Sequence, residues 1–305
     1  MSLKVPAAAC AVACVAASLA SFASAAWGAL PADGATIESV TGLKGAWNAK
    51  EGVFKVSKPR DDVRVTVDRV AMPPFMGLTS YAAFAQAGGE LMLMGDTVLL
   101  EDEVDAAMSA ALDAGLEVTA LHNHFFYDQP KVWFMHIAGM GDARRLASGV
   151  KALYDRVSQV RAGQAAPASG FPDEVASPSG ITAAPLEAIL GTSVQSQNGM
   201  AKATIGHEAR MHGAVVGNEM GVNTWAAFAG SDERAVVDGD FAMREDELQP
   251  VLRAMRAHGI HVVAIHQHMT HEEPRVMFLH YWGKGRATDL AVAVKAALDA
   301  QHASK

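Results

Sequence analysis

Apolar and polar residues alternate along 116–124 (LEVTALHNH) and again along 131–138 (KVWFMHIA), two short runs rich in β-branched and aromatic residues and separated by a Pro-containing link. A period of two predicts a pair of antiparallel strands. With the loop centred near Gln129, His122 pairs with His136. His122, His124, Phe134 and His136 then project to one side together with Val118, Ala120 and Val132. Opposed residues on such a pair lie about 5 Å apart at Cβ and diagonal ones about 7–8 Å, so three imidazoles come within reach of one ion.

Upstream, Val53–Val56 and Val63–Val67 alternate around a turn at residues 58–62, and Thr79–Ala85 and Glu90–Met94 flank Gln86–Gly89 as a second hairpin. Asp102–Ala114 predicts a helix, with Val104, Ala107, Met108, Ala111 and Leu112 on one face and Gly115 at its end. Glu101, Asp102 and Glu103 suit its first turn, where the helix dipole favours negative charge. The Gly139–Gly141 pair reads as a tight turn into a last helix, Asp142–Tyr154.

The same pattern then recurs. Tyr81–Asp155 aligns without a gap to Trp225–Asp299, displaced by 144 positions, and 28 of the 75 aligned residues are identical. Two copies of one unit are present. His122, His124 and His136 return as His266, His268 and His280, and Asp96 as Asp240. Within the hairpin, positions 118, 120, 122, 124, 132, 134 and 136 are unchanged, whereas 117, 119, 121, 123, 131, 133, 135 and 137 have all drifted. One strand face is therefore held far more tightly than the other, which fixes the period although not the exact pairing. A weaker match of Ile37–Gly42 to Leu186–Gly191 extends each copy toward its start. The predicted fold is α+β: two tandem copies of a strand-strand-helix-hairpin-helix unit, with antiparallel sheets, helices on one face and one core per copy.

Residues 1–25 carry one Lys, an alanine-rich apolar stretch and Ala23-Ser24-Ala25, the composition of a secretory signal. The chain thus divides into a signal peptide (1–25), a first repeat (26–155), a linker rich in Pro, Ala, Ser and Gly (156–185) and a second repeat (186–305). Cys14 lacks the leading Leu of a lipobox, so periplasmic or secreted export without an anchor is expected. Cys10 and Cys14 both lie in the signal, which leaves no thiolate for a metal. Removal of Lys4 with the signal leaves 24 basic against 33 acidic residues, a net charge of −9, which disfavours nucleic acid and anionic lipid as partners. No later apolar run reaches the roughly 18–20 residues of a membrane span.

Burying several imidazoles on one face is unfavourable unless each ring nitrogen finds a partner, and a shared metal satisfies several at once. His122, His124, His136, His266, His268 and His280 are accordingly the candidate ligands. Asp96 and Asp240 could orient a ligating imidazole or complete the site. Imidazoles without thiolates suit Zn, Cu, Ni or Fe, so the ligand set leaves the metal open, with Zn or Cu expected first. Met92 and Met94 alternate toward one face, which would also suit copper, but they read as core filling. His207, His212, His258, His261 and His271 occur in the second copy alone and hint at an active copy beside a supporting one. No Gly-x-Ser-x-Gly, His-Glu-x-x-His or catalytic Cys is present, so storage, sensing and metal-assisted hydrolysis all stay open. So does a metal-free module in which histidine networks bind a small ligand or join the two copies.

Leu-His-Asn-His-Phe at 121–125, Met-His-Ile-Ala-Gly-Met-Gly at 135–141, Met-Gly-Asp at 94–96 and Pro-Arg-Asp-Asp at 59–62 resemble the LppY/LpqO-type exported proteins, a commonly duplicated domain of unknown function. The resemblance implies the repeated unit and export, and carries no activity. The second copy departs from the pattern at Gln267, Met269, Tyr281 and Trp282.

Overall fold

A computed structural model describes residues 31–172 and 174–302, so the signal segment 1–25 lies outside the described residues. The first copy runs α1 (Pro31–Thr41), β1 (Gly45–Asn48), β2 (Val53–Pro59), β3 (Val65–Val67), β4 (Val70–Met72), β5 (Thr79–Ala87), β6 (Glu90–Leu100), α2 (Val104–Asp113), β7 (Glu117–His122), β8 (Asp128–Gln129), β9 (Val132–Gly141) and α3 (Ala143–Gly163). The second repeats that order as α4 (Ala183–Leu190), β10 (Val194–Gln197), β11 (Met200–Gly206), β12 (Ala209–Met211), β13 (Ala214–Val216), β14 (Asn223–Gly230), β15 (Ala235–Arg244), α5 (Leu248–Ala257), β16 (His261–His266), β17 (Glu272–Glu273), β18 (Val276–Gly285) and α6 (Ala287–His302). The fold is mixed α/β with antiparallel sheets. No helix among the described residues is long and apolar enough to cross a membrane.

Both copies join in one 12-stranded sheet, ordered β1-β2-β5-β6-β9-β7-β16-β18-β15-β14-β11-β10. Its central joint is the antiparallel pair β7 and β16, bridged by Leu121 and Ile265. These two are the same position of the two copies, so a local two-fold axis passes between them. The helices cover one face, and a single apolar cluster runs through both halves. The expected core per copy is thus merged into one, because the edge-to-edge seam brings α2 against α5 and lets helix-facing residues of both sheets touch.

Two further expectations change. Val53–Val56 and Val63–Val67 do not form a hairpin: β2 pairs with β1 and β5, whereas Val65–Val67 pairs with β4 and β8 in a small separate sheet. The divergence occurs at Arg60, which is buried and binds Glu103 through two hydrogen bonds instead of turning on the surface. Residues 156–163, read as linker, continue α3, with Val157 and Arg161 buried. The helices α1 and α4 account for the weak match at 37–42 and 186–191.

The small sheets β4-β3-β8 and β13-β12-β17 each close a minor cluster, around Phe134 or Phe278, on the other face of the main sheet. Between them that face is open, and the histidines stand on it. On the helix side the core positions Leu121, Met135 and Ile137 have become Ile265, Leu279 and Tyr281. Apolar cores accept such exchanges when volume is roughly kept. Tyr281 is larger than Ile137, and Gly239 makes room: a Cβ there would lie 2.2 Å from the Tyr281 ring. The tightly held face is the open one, the reverse of what packing alone would select.

Candidate metal centre

Thr119 is an extra residue in β7, because Val118 faces Ile137 and Ala120 faces His136. This β-bulge reverses the strand's facing. Val118 consequently packs in the helix-side core and is not on the histidine face, and His122 pairs with Phe134, not with His136. Ala120, His122, Phe134 and His136 remain on the open face, with Asp96 of β6 beside His136. The second copy repeats this, placing Asp240 beside His280 and His266 beside Phe278.

The imidazoles converge in both copies. His122 lies with its ring centroid 5.1 Å from that of His124 and 5.1 Å from that of His136, and its Nε2 is 3.1 Å from His136 Nε2. His124 stacks on Phe134 at 3.3 Å. In the second copy His266 lies 5.1 Å from His268 and 4.7 Å from His280, and His268 stacks on Phe278 at 3.5 Å. His268 Nε2 reaches Asp240 Oδ2 at 3.1 Å, and His266 Nε2 is 4.0 Å from Asp240 Oδ1. One ligand atom each from Asp240, His266 and His268 falls within 4.8 Å of the other two. Two ligands on a tetrahedral zinc stand about 3.3 Å apart, given metal–ligand bonds of roughly 2.0–2.1 Å, so small side-chain rotations bring the three onto one ion.

Two of these atoms, Asp240 Oδ1 and His266 Nε2, are buried without a hydrogen-bond partner, as is Asp96 Oδ1 in the first copy. Orphaned buried polar atoms are rare in folded proteins, and a cation in each copy would satisfy all three. Electrostatics agrees. Burial holds the His266 imidazole below the ordinary histidine range, with Asp240 pulling the other way, so the ring stays neutral and able to ligate. Partial burial, His122 and His136 lower His124 similarly.

Burial also pushes the Asp240 carboxyl above the usual aspartate value, outweighing His280, His268 and His266. A raised carboxyl makes the metal-free fold lose stability as pH rises through its folded pKa, since the ionised form is the disfavoured one. Asp240→Asn is therefore expected to raise the melting temperature of metal-free protein at neutral pH while weakening metal binding. A lower melting temperature for the variant would show that the carboxylate holds the face together.

His207, His212, His258, His261 and His271 all stay outside this cluster. His207 contacts Thr224 Oγ1 at 3.1 Å, His258 bonds the Ala254 carbonyl at 2.8 Å, His261 pairs with Asp105 and stacks on Phe171, and His212 lies 6.1 Å from His271. The copies still differ at the site, since among the described residues only Asp240, His266 and His268 of the second bring three ligand atoms within 4.8 Å of one another. The Gly-x-Gly pairs are strand ends rather than turns: a Cβ at Gly139 or Gly283 would crowd Leu146 or Leu290 of the closing helix.

Fold and site together define a duplicated mixed α/β domain that presents paired histidine clusters on an open sheet face. The chain belongs to the family described as Domain of Unknown Function (DUF1259), whose model matches residues 35–156 and again 184–300. No curated protein matches it. Among solved structures it is similar to a double ringed trimeric shell protein from the RMM microcompartment, at 13% identity over 70% of this chain and 83% of the other. The TM-score of 0.20 is too low for that likeness to bear on fold or function.

Proposed function

We propose that this chain is an exported protein of the LppY/LpqO type that binds transition-metal ions, Zn or Cu above others, with one site in each copy. The observation that carries this reading is the convergence of Asp240, His266 and His268 around two buried atoms that lack any other partner. His122, His124 and His136 with Asp96 supply the matching set in the first copy, and His280 completes the second. Where three of the four groups in a set ligate, a fourth position is left for water or substrate on the exposed face, the arrangement used for metal-assisted hydrolysis. A metal-free ligand-binding module is the second reading. It is favoured by the stacking of His124 and His268 on Phe134 and Phe278, which gives those rings a partner without an ion.

Calorimetric titration of the mature protein with Zn and with Cu tests the proposal. Two equivalents are expected. Changing His122, His124 and His136 together to Ala should remove one and leave the other with its original affinity, because sites without shared ligands act additively. Changing His266, His268 and His280 should do the converse. Complete loss from either variant would replace two sites by one shared at the seam, and no binding by the unaltered protein would transfer the argument to the metal-free module.

A further inference from the structure

Met92 and Met94, read from sequence as core filling, are not in the core. They leave β6 on the open face, and Met140 of β9 stands directly opposite Met92. The three are 37%, 60% and 44% exposed, while the alternating Leu91 and Leu93 are buried on the helix side. Their immediate cross-strand neighbours are small: Ala85 beside Met92, and Ala83 and Ala138 on either side of Met94, with Lys55 and Glu117 next along that row. The side chains border a shallow recess of about 430 Å³ that His136 and Tyr81 also line.

Opposed residues of a sheet are about 5 Å apart at Cβ and diagonal ones about 7–8 Å, and methionine is long and unbranched. Three sulfurs so placed can meet around one ion. Nothing in the fold asks for methionine here, since the duplicated positions carry Val236, Asp238 and Lys284. Three neutral, polarisable thioethers select a soft monovalent ion over Zn, Mg or Ca. We propose that Met92, Met94 and Met140 form a Cu(I) site on the first copy, separate from the imidazole centres and without a counterpart in the second copy.

Thioethers do not titrate, whereas imidazoles do, and this separates the two kinds of site. At about pH 5, well below the reference histidine pKa near 6.5, the mature protein should still take up one Cu(I) under anaerobic competition with a chromogenic chelator, when Zn binding is largely lost. Ag(I), a redox-inert probe, should shift the methyl NMR signals of Met92, Met94 and Met140 and few others. The M92L/M94L/M140L variant, which roughly keeps volume, should lose that equivalent and keep Zn binding at neutral pH. The variant lacking His122, His124 and His136 should retain it. A Leu variant that still binds Cu(I) at low pH would overturn the proposal. Should that variant fail to fold, the unaltered protein decides: methionine methyls that do not move with Ag(I) overturn it equally.

Discussion

Glu103→Ala is expected to lower the unfolding free energy by about 3–5 kcal/mol, the loss typical of removing one partner from a buried ion pair. The Glu103 side chain is fully buried. Its Oε2 accepts from the Leu100 backbone N–H at 2.8 Å and from Arg60 Nη1 at 2.7 Å. Its Oε1 accepts from Arg60 Nη2 at 2.9 Å and forms an ion pair with Arg161, whose Nε lies 2.7 Å away. Without it two buried guanidinium groups face each other. Burial opposes the charge on Arg60, yet its hydrogen bonds to Glu103 and Asp62 hold its pKa above the ordinary arginine value. The duplicate position provides the control. Glu247 keeps the bond from the Arg244 backbone N–H at 2.8 Å, but its charged partner is the partly exposed Arg244, and His207 stands where the first copy has Arg60. Glu247→Ala should thus cost about 1–3 kcal/mol, the price of unmade hydrogen bonds alone. Urea unfolding of both variants measures the difference. Equal losses would mean that the Arg60 and Arg161 contacts add nothing beyond the helix cap.

The second large effect is on metal affinity. Zn binding by the second copy should weaken by roughly 10- to 100-fold between about pH 7.5 and 5.5, because two imidazoles must be neutral to ligate and the reference pKa of each is near 6.5. The loss falls short of the upper figure because burial lowers His266 and keeps it neutral further into acid. The contribution of His266 to the stability of the metal-free fold follows the same sign, opposite to that of Asp240. A depressed histidine contributes fully above its unfolded pKa, and the contribution is lost as pH falls toward the folded one. Calorimetry at several pH values checks the affinity, and a flat profile would rule out imidazole ligands.

The period of two and the histidine face were legible in the sequence, because the copies had drifted at Leu121, Met135 and Ile137 and stood still at His122, Phe134 and His136; Asp96 and Asp240 were only candidates, since the same residues also suit a turn before a helix. Three features were not legible. A bulge at Thr119 leaves no composition signal, so Val118 was placed on the wrong face. The helices α1 and α4 are short and weakly amphipathic in pattern, and they pass for irregular chain. Arg60 lies in a run of charges that imitates a surface turn, and only its burial against Glu103, 43 positions on, explains why the chain leaves the main sheet there. The seam is a different case: β7 and β16 are duplicates of each other, and no local pattern distinguishes an edge strand that pairs with its own copy from one that faces solvent.

That seam also breaks its own symmetry. Asp105 and Gln249 are one position counted twice, and both reach across the joint with different chemistry. Gln249 accepts from the Val118 N–H at 3.1 Å and donates to the Val118 carbonyl at 2.9 Å, while Asp105 pairs with Arg256 at 2.7 Å and with His261. Two first copies from separate molecules, joined in the same way, would set each Asp105 against Glu117, the residue duplicated as His261, and like charges would repel. The joint therefore favours a second copy over another first copy. Duplication inside one chain permits this discrimination, which an association of identical subunits cannot encode.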